Sequence, residues 1–189
     1  MKRNVEHEIL PLLAERWSPR AYSPDRPAEP ILKRLFEAAR WAPSSSNEQP
    51  WVFLSTRRGE RMHELLLETL VEANRRWAKD APVLVLGLAR THFARSGKPN
   101  RHAFYDLGQA VAHLTVEAAA AGLAVHQMAG FDVEKARGLA GEGMEPVVVF
   151  TIGYPGDPSQ LPADLAEREL RRSDRKAQAE FVFADFPKS

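Results

Sequence analysis

The chain has no cysteine among its 189 residues. That excludes disulfides, thiolate nucleophiles and cysteine-ligated zinc or iron–sulfur clusters, and it suits a reducing compartment. No apolar stretch approaches the roughly 20 residues needed to span a bilayer. The N-terminus, MKRNVEHE, is charged and leads into no apolar run, so no signal peptide and a cytoplasmic location are expected. Excess charge of one sign is missing too, since 26 Lys and Arg face 25 Asp and Glu. Neither nucleic acid nor a membrane surface is therefore expected as a partner. No G-x-G-x-x-G, P-loop or G-x-S-x-G occurs, which removes a Rossmann site, a triphosphate cradle and an esterase-type serine. The six histidines show no metal spacing. His113 and Glu117, one helical turn apart, read as a helix-face hydrogen bond.

What is present describes an ordinary soluble domain, 44% hydrophobic and 27% charged. The length suits one domain with a substantial core. Its organising stretch is Trp41 to Trp51, WAPSSSNEQPW. Ahead of it Ile31, Leu32, Leu35, Ala38 and Ala39 recur at helical spacing, predicting a helix over 30–40. Behind it, 51–56 is aromatic and β-branched and predicts a strand. Pro43 and Pro50 restrict their predecessors and stop the helix near Trp41. The polar loop between them is a natural place for a ligand contact, although serine and asparagine also simply suit turns.

Elsewhere the pattern predicts a helix over 4–15, with Val5, Ile9, Leu12 and Leu13 inward, or one whose regular part starts at Pro11 with proline in the first turn. Arg16-Trp-Ser-Pro-Arg20 follows, two guanidiniums and a hydroxyl able to converge on an anion, or else a surface charge pair. A helix is expected over 59–77, a doubly buried strand over 81–89 and a polar loop over 91–101. Phe93 and Phe104 are able to stack on a planar substrate or simply to pack. A long alanine-rich helix over 105–122 has Asp106 near its start and Gly122 as its stop. A short strand, 123–128, meets Gly130, and Asp132 starts another helix. The run 146–157 is a buried strand ending in Gly-Tyr-Pro-Gly. The charged tail carries a lone strand candidate over 180–184.

Arg16-Trp-Ser-Pro-Arg20, the stretch Ala39 to Trp51 and the order of the later elements resemble the nitroreductase family of FMN-dependent NAD(P)H oxidoreductases. The resemblance covers nearly the whole chain. It implies an α+β, three-layer α/β/α sandwich with a mostly antiparallel central sheet, built as an intertwined homodimer whose C-terminal extension, 160–189, wraps the partner. It assigns Arg16, Ser18 and Arg20 to the FMN phosphate or pyrimidine edge, with Trp17 contributing backbone. Pro43, Ser44, Ser45 and Asn47 would bind flavin, the last three reaching that of the partner subunit. Asn74 would pair with the pyrimidine, and the Gln127-Met-Ala-Gly130 turn would set a backbone N–H toward flavin N5. Arg175 would bind the phosphate, with Arg172 or Ser173 at the second basic position. The implied chemistry is a ping-pong hydride transfer from NADH or NADPH to a nitroaromatic, quinone or enal, needing no catalytic side chain. The family also holds reductive dehalogenases and a flavin-fragmenting enzyme, and a non-enzymatic flavin sensor is the alternative outside catalysis.

Overall fold

The computed structural model describes residues 5–171 and 173–185. Four strands form one antiparallel sheet: β1 (Trp51–Arg57), β2 (Val83–Arg90), β3 (Ala124–Met128) and β4 (Met144–Gly153), ordered β1-β2-β4-β3. Register runs Trp51 to Ala89, Val85 to Phe150 and Gln127 to Phe150. Strand alternation sends successive side chains to opposite faces, so the central strands feed two cores. Val83, Val85, Phe150 and Ile152 face α2 (Glu29–Arg40) and α5 (Ala103–Ala120). Leu84, Leu86, Leu88 and Val149 face α3 (Arg61–Leu67), α4 (Glu72–Ala78), α6 (Val133–Arg137) and α7 (Ala163–Leu170). Helices therefore cover both faces, and β2 is buried from Val83 to Ala89. Each large apolar side chain so enclosed contributes about 1.5–3 kcal/mol by leaving water.

Two helices differ from expectation. In the first segment only α1 (Pro11–Glu15) is helical, shorter than 4–15 and starting at Pro11, where the sequence allows the regular part to begin. Val5, Ile9 and Leu13 lie 44–47% exposed instead of inward, and Pro11 cannot sit inside a helix. Asn4 lies outside the described residues. The helix expected over 59–77 is broken into α3 and α4, since backbone groups between them pair with the segment after β3. The Val71 N–H donates to the Gly130 carbonyl at 3.1 Å and the Asp132 N–H to the Thr69 carbonyl at 2.7 Å.

Two other expectations also shift. α5 starts at Ala103, ahead of the expected Tyr105, and keeps Asp106 in its first turn, as a buried carboxylate. The tail segment 180–184 is not a strand. It follows a short turn at Gln178–Glu180 and leaves Phe181, Val182 and Phe183 exposed. β-branched and aromatic residues make a strand only beside an open edge, and none of the described strands adjoins it.

Candidate functional site

An arginine-lined cavity of about 410 Å³ lies between the segment after α1, the edge strand β3 and α7. Its walls include Arg16, Trp17, Ser18, Arg20, His126, Arg168, Glu169, Arg171, Ser173 and Arg175. The segment 16–23 is extended because β4's continuation holds it. Gly156 N–H donates to the Ala21 carbonyl and Ser23 N–H to the Tyr154 carbonyl, each at 2.9 Å. Any Cβ on Gly156 would collide with the Tyr22 backbone, so only glycine lets the two chains approach. Tyr22, buried, shares a 2.5 Å hydrogen bond with Thr151 of β4. Burial pushes its phenol pKa up and keeps it neutral.

Glu169 of α7 fixes the far end. Its carboxylate accepts the Arg20 N–H at 2.8 Å and lies 3.6 Å from the Arg20 guanidinium, with its side chain 5% exposed. The Arg16 guanidinium donates to the Ser18 hydroxyl at 3.2 Å. Arg171 pairs with Glu167 outside the cavity, and Arg175 donates to the Ser173 and Asp174 carbonyls. Five arginines thus line a cavity with one carboxylate in its walls, Glu169, which Arg20 already engages. Such a concentration of like charge is stabilised by an anion with several acceptor oxygens.

His126 supplies the floor. A carbonyl only accepts, so its contact with the Pro19 carbonyl at 2.9 Å requires a proton on Nδ1. The ring leans on Trp77 at 4.4 Å between centroids. Burial, then the nearby Arg20 and Arg16 charges, push its pKa down to about 4 against the bonds to Pro19 and Ser18. The imidazole is therefore neutral at ordinary pH, a rigid spacer rather than a proton donor to solvent.

Past the end of β3, Gly130 and Asn74 meet. The Asn74 side-chain amide donates to the Gly130 carbonyl at 3.0 Å. A Cβ on Gly130 would lie 2.8 Å from that amide nitrogen and 2.9 Å from Val71 Cγ2, so the approach needs glycine. Met128 points into the core, whereas Gln127 and Ala129 are exposed. Whatever Met128 offers a ligand is backbone.

The Pro43–Asn47 loop is not part of that cavity. It precedes β1, at one edge of the sheet, while the arginines adjoin β3 at the other. Ser46, Asn47 and Gln49 all take left-handed φ values near 53–54°, unusual for three side-chain-bearing residues. Local bonds hold them: Gln49 N–H to the Ser44 hydroxyl at 3.0 Å and Ser45 N–H to the buried Asp106 carboxylate at 3.1 Å. Gln109 donates to the Pro43 carbonyl at 3.4 Å.

Of the residues read from sequence, the fold gathers Arg16, Trp17, Ser18, Arg20, Ser173 and Arg175 in one cavity. It gathers Asn74 and Gly130 in a second place and Ser44, Ser45 and Asn47 in a third. Arg172 lies outside the described residues. Arg168, Glu169, Arg171 and His126 were missed. One signal was available for α7: Leu165 and Glu169 are four apart, so the carboxylate shares the helix's buried face and needs a partner. Glu117 pairs with Arg34 at 2.6 Å rather than with His113. The described residues hold no metal-binding group of His, Asp and Glu, and none of their helices is long and apolar enough to cross a membrane.

The fold and this cavity define an α+β protein with helices on both faces of an antiparallel sheet and an arginine-lined cavity at the sheet's β3 edge. The nitroreductase family matches residues 13–154, and the chain belongs to that family. A solved structure described as an oxidoreductase containing FMN superposes with a TM-score of 0.92 at 34% identity, covering 99% of this chain and 97% of that one. A chain described as a nitroreductase in complex with FMN, from Desulfovibrio desulfuricans, shares the fold at a TM-score of 0.72 and 22% identity, with 95% and 100% covered. Among curated relatives, an uncharacterized 15.4 kDa protein of Mycolicibacterium smegmatis is 34% identical over 62% of this chain and 79% of its own length. Mouse iodotyrosine deiodinase 1 is 26% identical over 89% of this chain and 69% of its own length.

Proposed function

We propose that the protein is an FMN-dependent oxidoreductase that carries reducing equivalents from NADH or NADPH to a small electron-poor acceptor such as a nitroaromatic, quinone or enal. The observation that carries this reading is the five-arginine cavity in a chain of this family. Its residues fit FMN. A phosphate monoester matches guanidiniums and serine hydroxyls, and about 410 Å³ is in the range of small-molecule sites. The missing side chain at Gly130 lets the Asn74 amide approach the backbone of the turn after β3.

Arg16, Ser18, Arg175 and the newly found Arg168 would hold the phosphate. Arg20, fixed by Glu169, and Asn74 would serve the pyrimidine edge, while the backbone of Ala129 and Gly130 would face the reactive rim. The chemistry bound FMN supplies is hydride transfer in two stages, first from the nicotinamide and then to the acceptor, a ping-pong cycle. The chain's own work is orientation, electrostatics and exclusion of water. A neutral, bonded His126 agrees with a site lacking a dedicated acid or base.

The opposite placement of the Pro43–Asn47 loop and the arginines supports a homodimer. In it each loop would complete the partner's cavity, and the exposed Phe181–Phe183 segment would cross to the partner. Sedimentation of the flavin-loaded protein as a monomer would remove this part of the reading. A second activity, reductive dehalogenation, is favoured by the likeness to iodotyrosine deiodinase 1. The deciding experiment is the visible absorption spectrum before and after NADPH without oxygen. Flavin bands that bleach support the oxidoreductase, flavin bands that persist support a sensor, and a colourless protein that takes up no FMN overturns the reading. Release of iodide from an iodotyrosine by the reduced protein would select the dehalogenase.

A further inference from the structure

The basic segment between β2 and α5 is unused by the site so far described. From Ala81 to Tyr105 the chain has no Asp or Glu, yet it carries Arg90, Arg95, Lys98 and Arg101. Elsewhere Arg20, Arg34, Arg40, Arg57, Arg75, Arg76 and Arg137 each face a carboxylate. None of the four in this segment forms an ion pair among the described residues, and all four side chains are exposed.

The segment is a built hairpin. Phe93 N–H donates to the Lys98 carbonyl at 2.9 Å, Gly97 N–H to the Phe93 carbonyl at 2.8 Å and Asn100 N–H to the Thr91 carbonyl at 2.7 Å. At its root Asn100 is 4% exposed, and its side-chain carbonyl receives the His102 N–H while its buried amide nitrogen has no partner in the protein. A buried donor without an acceptor is costly, and this one sits at the root of the hairpin. The hairpin is also clamped to the Ser44–Gln49 loop, because the Glu48 carboxylate accepts the Ala94 N–H at 2.7 Å. Directly after it, Phe104 and Tyr105 stand 51% and 68% exposed. Planar apolar surface and unmatched positive charge therefore lie together, and Asp106, the next carboxylate, is buried against Ser45.

We propose that this hairpin is the anion-recognition element for the redox substrate, favouring planar molecules that carry phosphate or carboxylate over neutral ones. The inference rests on the proposed function, and on the loop of one subunit completing the cavity of the other. Cations and aromatic faces at the mouth of that cavity attract an anionic planar ligand by charge and by stacking.

The test uses the flavin-loaded protein and its R95E/K98E variant, with retained flavin as the check that the fold persists. The donor arm compares reduction by NADPH with reduction by the uncharged N-benzyl-dihydronicotinamide. The acceptor arm compares kcat/KM for para-nitrobenzoate with that for its methyl ester. Charge reversal should lower the charged-to-neutral ratio about tenfold in at least one arm. R95Q/K98Q should lower the same ratio less. A fall in the donor arm identifies the dinucleotide phosphates as the anion, and a fall in the acceptor arm identifies a carboxylated acceptor. A wild type that turns over while both ratios stay within about twofold in the variant overturns the inference alone. A wild-type flavin that neither donor reduces overturns the proposed function and this inference with it.

Discussion

Glu169 holds Arg20 twice, by accepting its backbone N–H at 2.8 Å and by facing its guanidinium at 3.6 Å. The two residues are 149 positions apart, so one carboxylate fastens a C-terminal helix to the N-terminal edge of the cavity. Glu169→Ala leaves the Arg20 N–H and guanidinium without that acceptor. The expected cost is about 1–3 kcal/mol in urea unfolding of the flavin-free protein. Glu169→Gln, which keeps an acceptor oxygen, should recover part of it.

Arg16→Ala and Arg168→Ala should weaken FMN binding and leave riboflavin binding nearly intact, because only FMN brings the phosphate. Losing a charge-assisted bond of about 1.5–3 kcal/mol corresponds to roughly 10- to 100-fold in Kd. Flavin fluorescence titration of both ligands checks this. Equal losses for FMN and riboflavin would show that the arginines support the fold rather than the phosphate.

His126 makes stability depend on pH in a stated direction. Its folded pKa, about 4, lies below its ordinary value of 6.5, so the unfolded chain binds the proton more readily. Its contribution is intact above about 6.5, declines as pH falls, and is exhausted near 4; the window amounts to about 3 kcal/mol. His63, whose pKa burial also pushes down, adds an effect of the same sign. Denaturation of flavin-free protein across this range should show a shallower slope in His126→Gln.

Gly130→Ala forces its new methyl against the Asn74 amide. Displacing Asn74 should cost about 1–3 kcal/mol in stability and weaken flavin binding. Gly108→Ala, where nothing lies within 4 Å of the added carbon, is the control expected to stay near wild type.

Much of this architecture was legible from local pattern. β2 and β4 announced themselves as apolar, β-branched runs, and Gly122, at a φ of +73°, ends α5 where a left-handed stop is needed. The Arg16–Arg20 segment stood out as two guanidiniums beside a helix-stopping proline, a pattern that fits a surface charge pair as well as an anion site until the fold places both arginines in one cavity wall. The break between α3 and α4 was not visible. Leu66, Leu70 and Ala73 keep helical spacing, with no glycine or proline between them, and the chain opens there only because Gly130 and Asp132 supply competing backbone partners. The place of Arg168 in the cavity wall was hidden for a similar reason: residues 163–170 read only as part of a charged tail until the contact of Glu169 with Arg20 shows which face of α7 is inward. The first segment and the tail carried apolar residues whose partners were not to be found in their own neighbourhood.

The double burial of β2 has a consequence for how the molecule comes apart. Its side chains alternate between the two cores, and its backbone is laddered to β1 on one side and β4 on the other. Neither core can melt while β2 stays in place, so the halves share one cooperative transition. Amides in the middle of β2 should exchange with heavy water only through global opening. Their exchange free energy then measures the stability of the whole molecule, against which local fluctuations of the hairpin and the loop before β1 can be scaled.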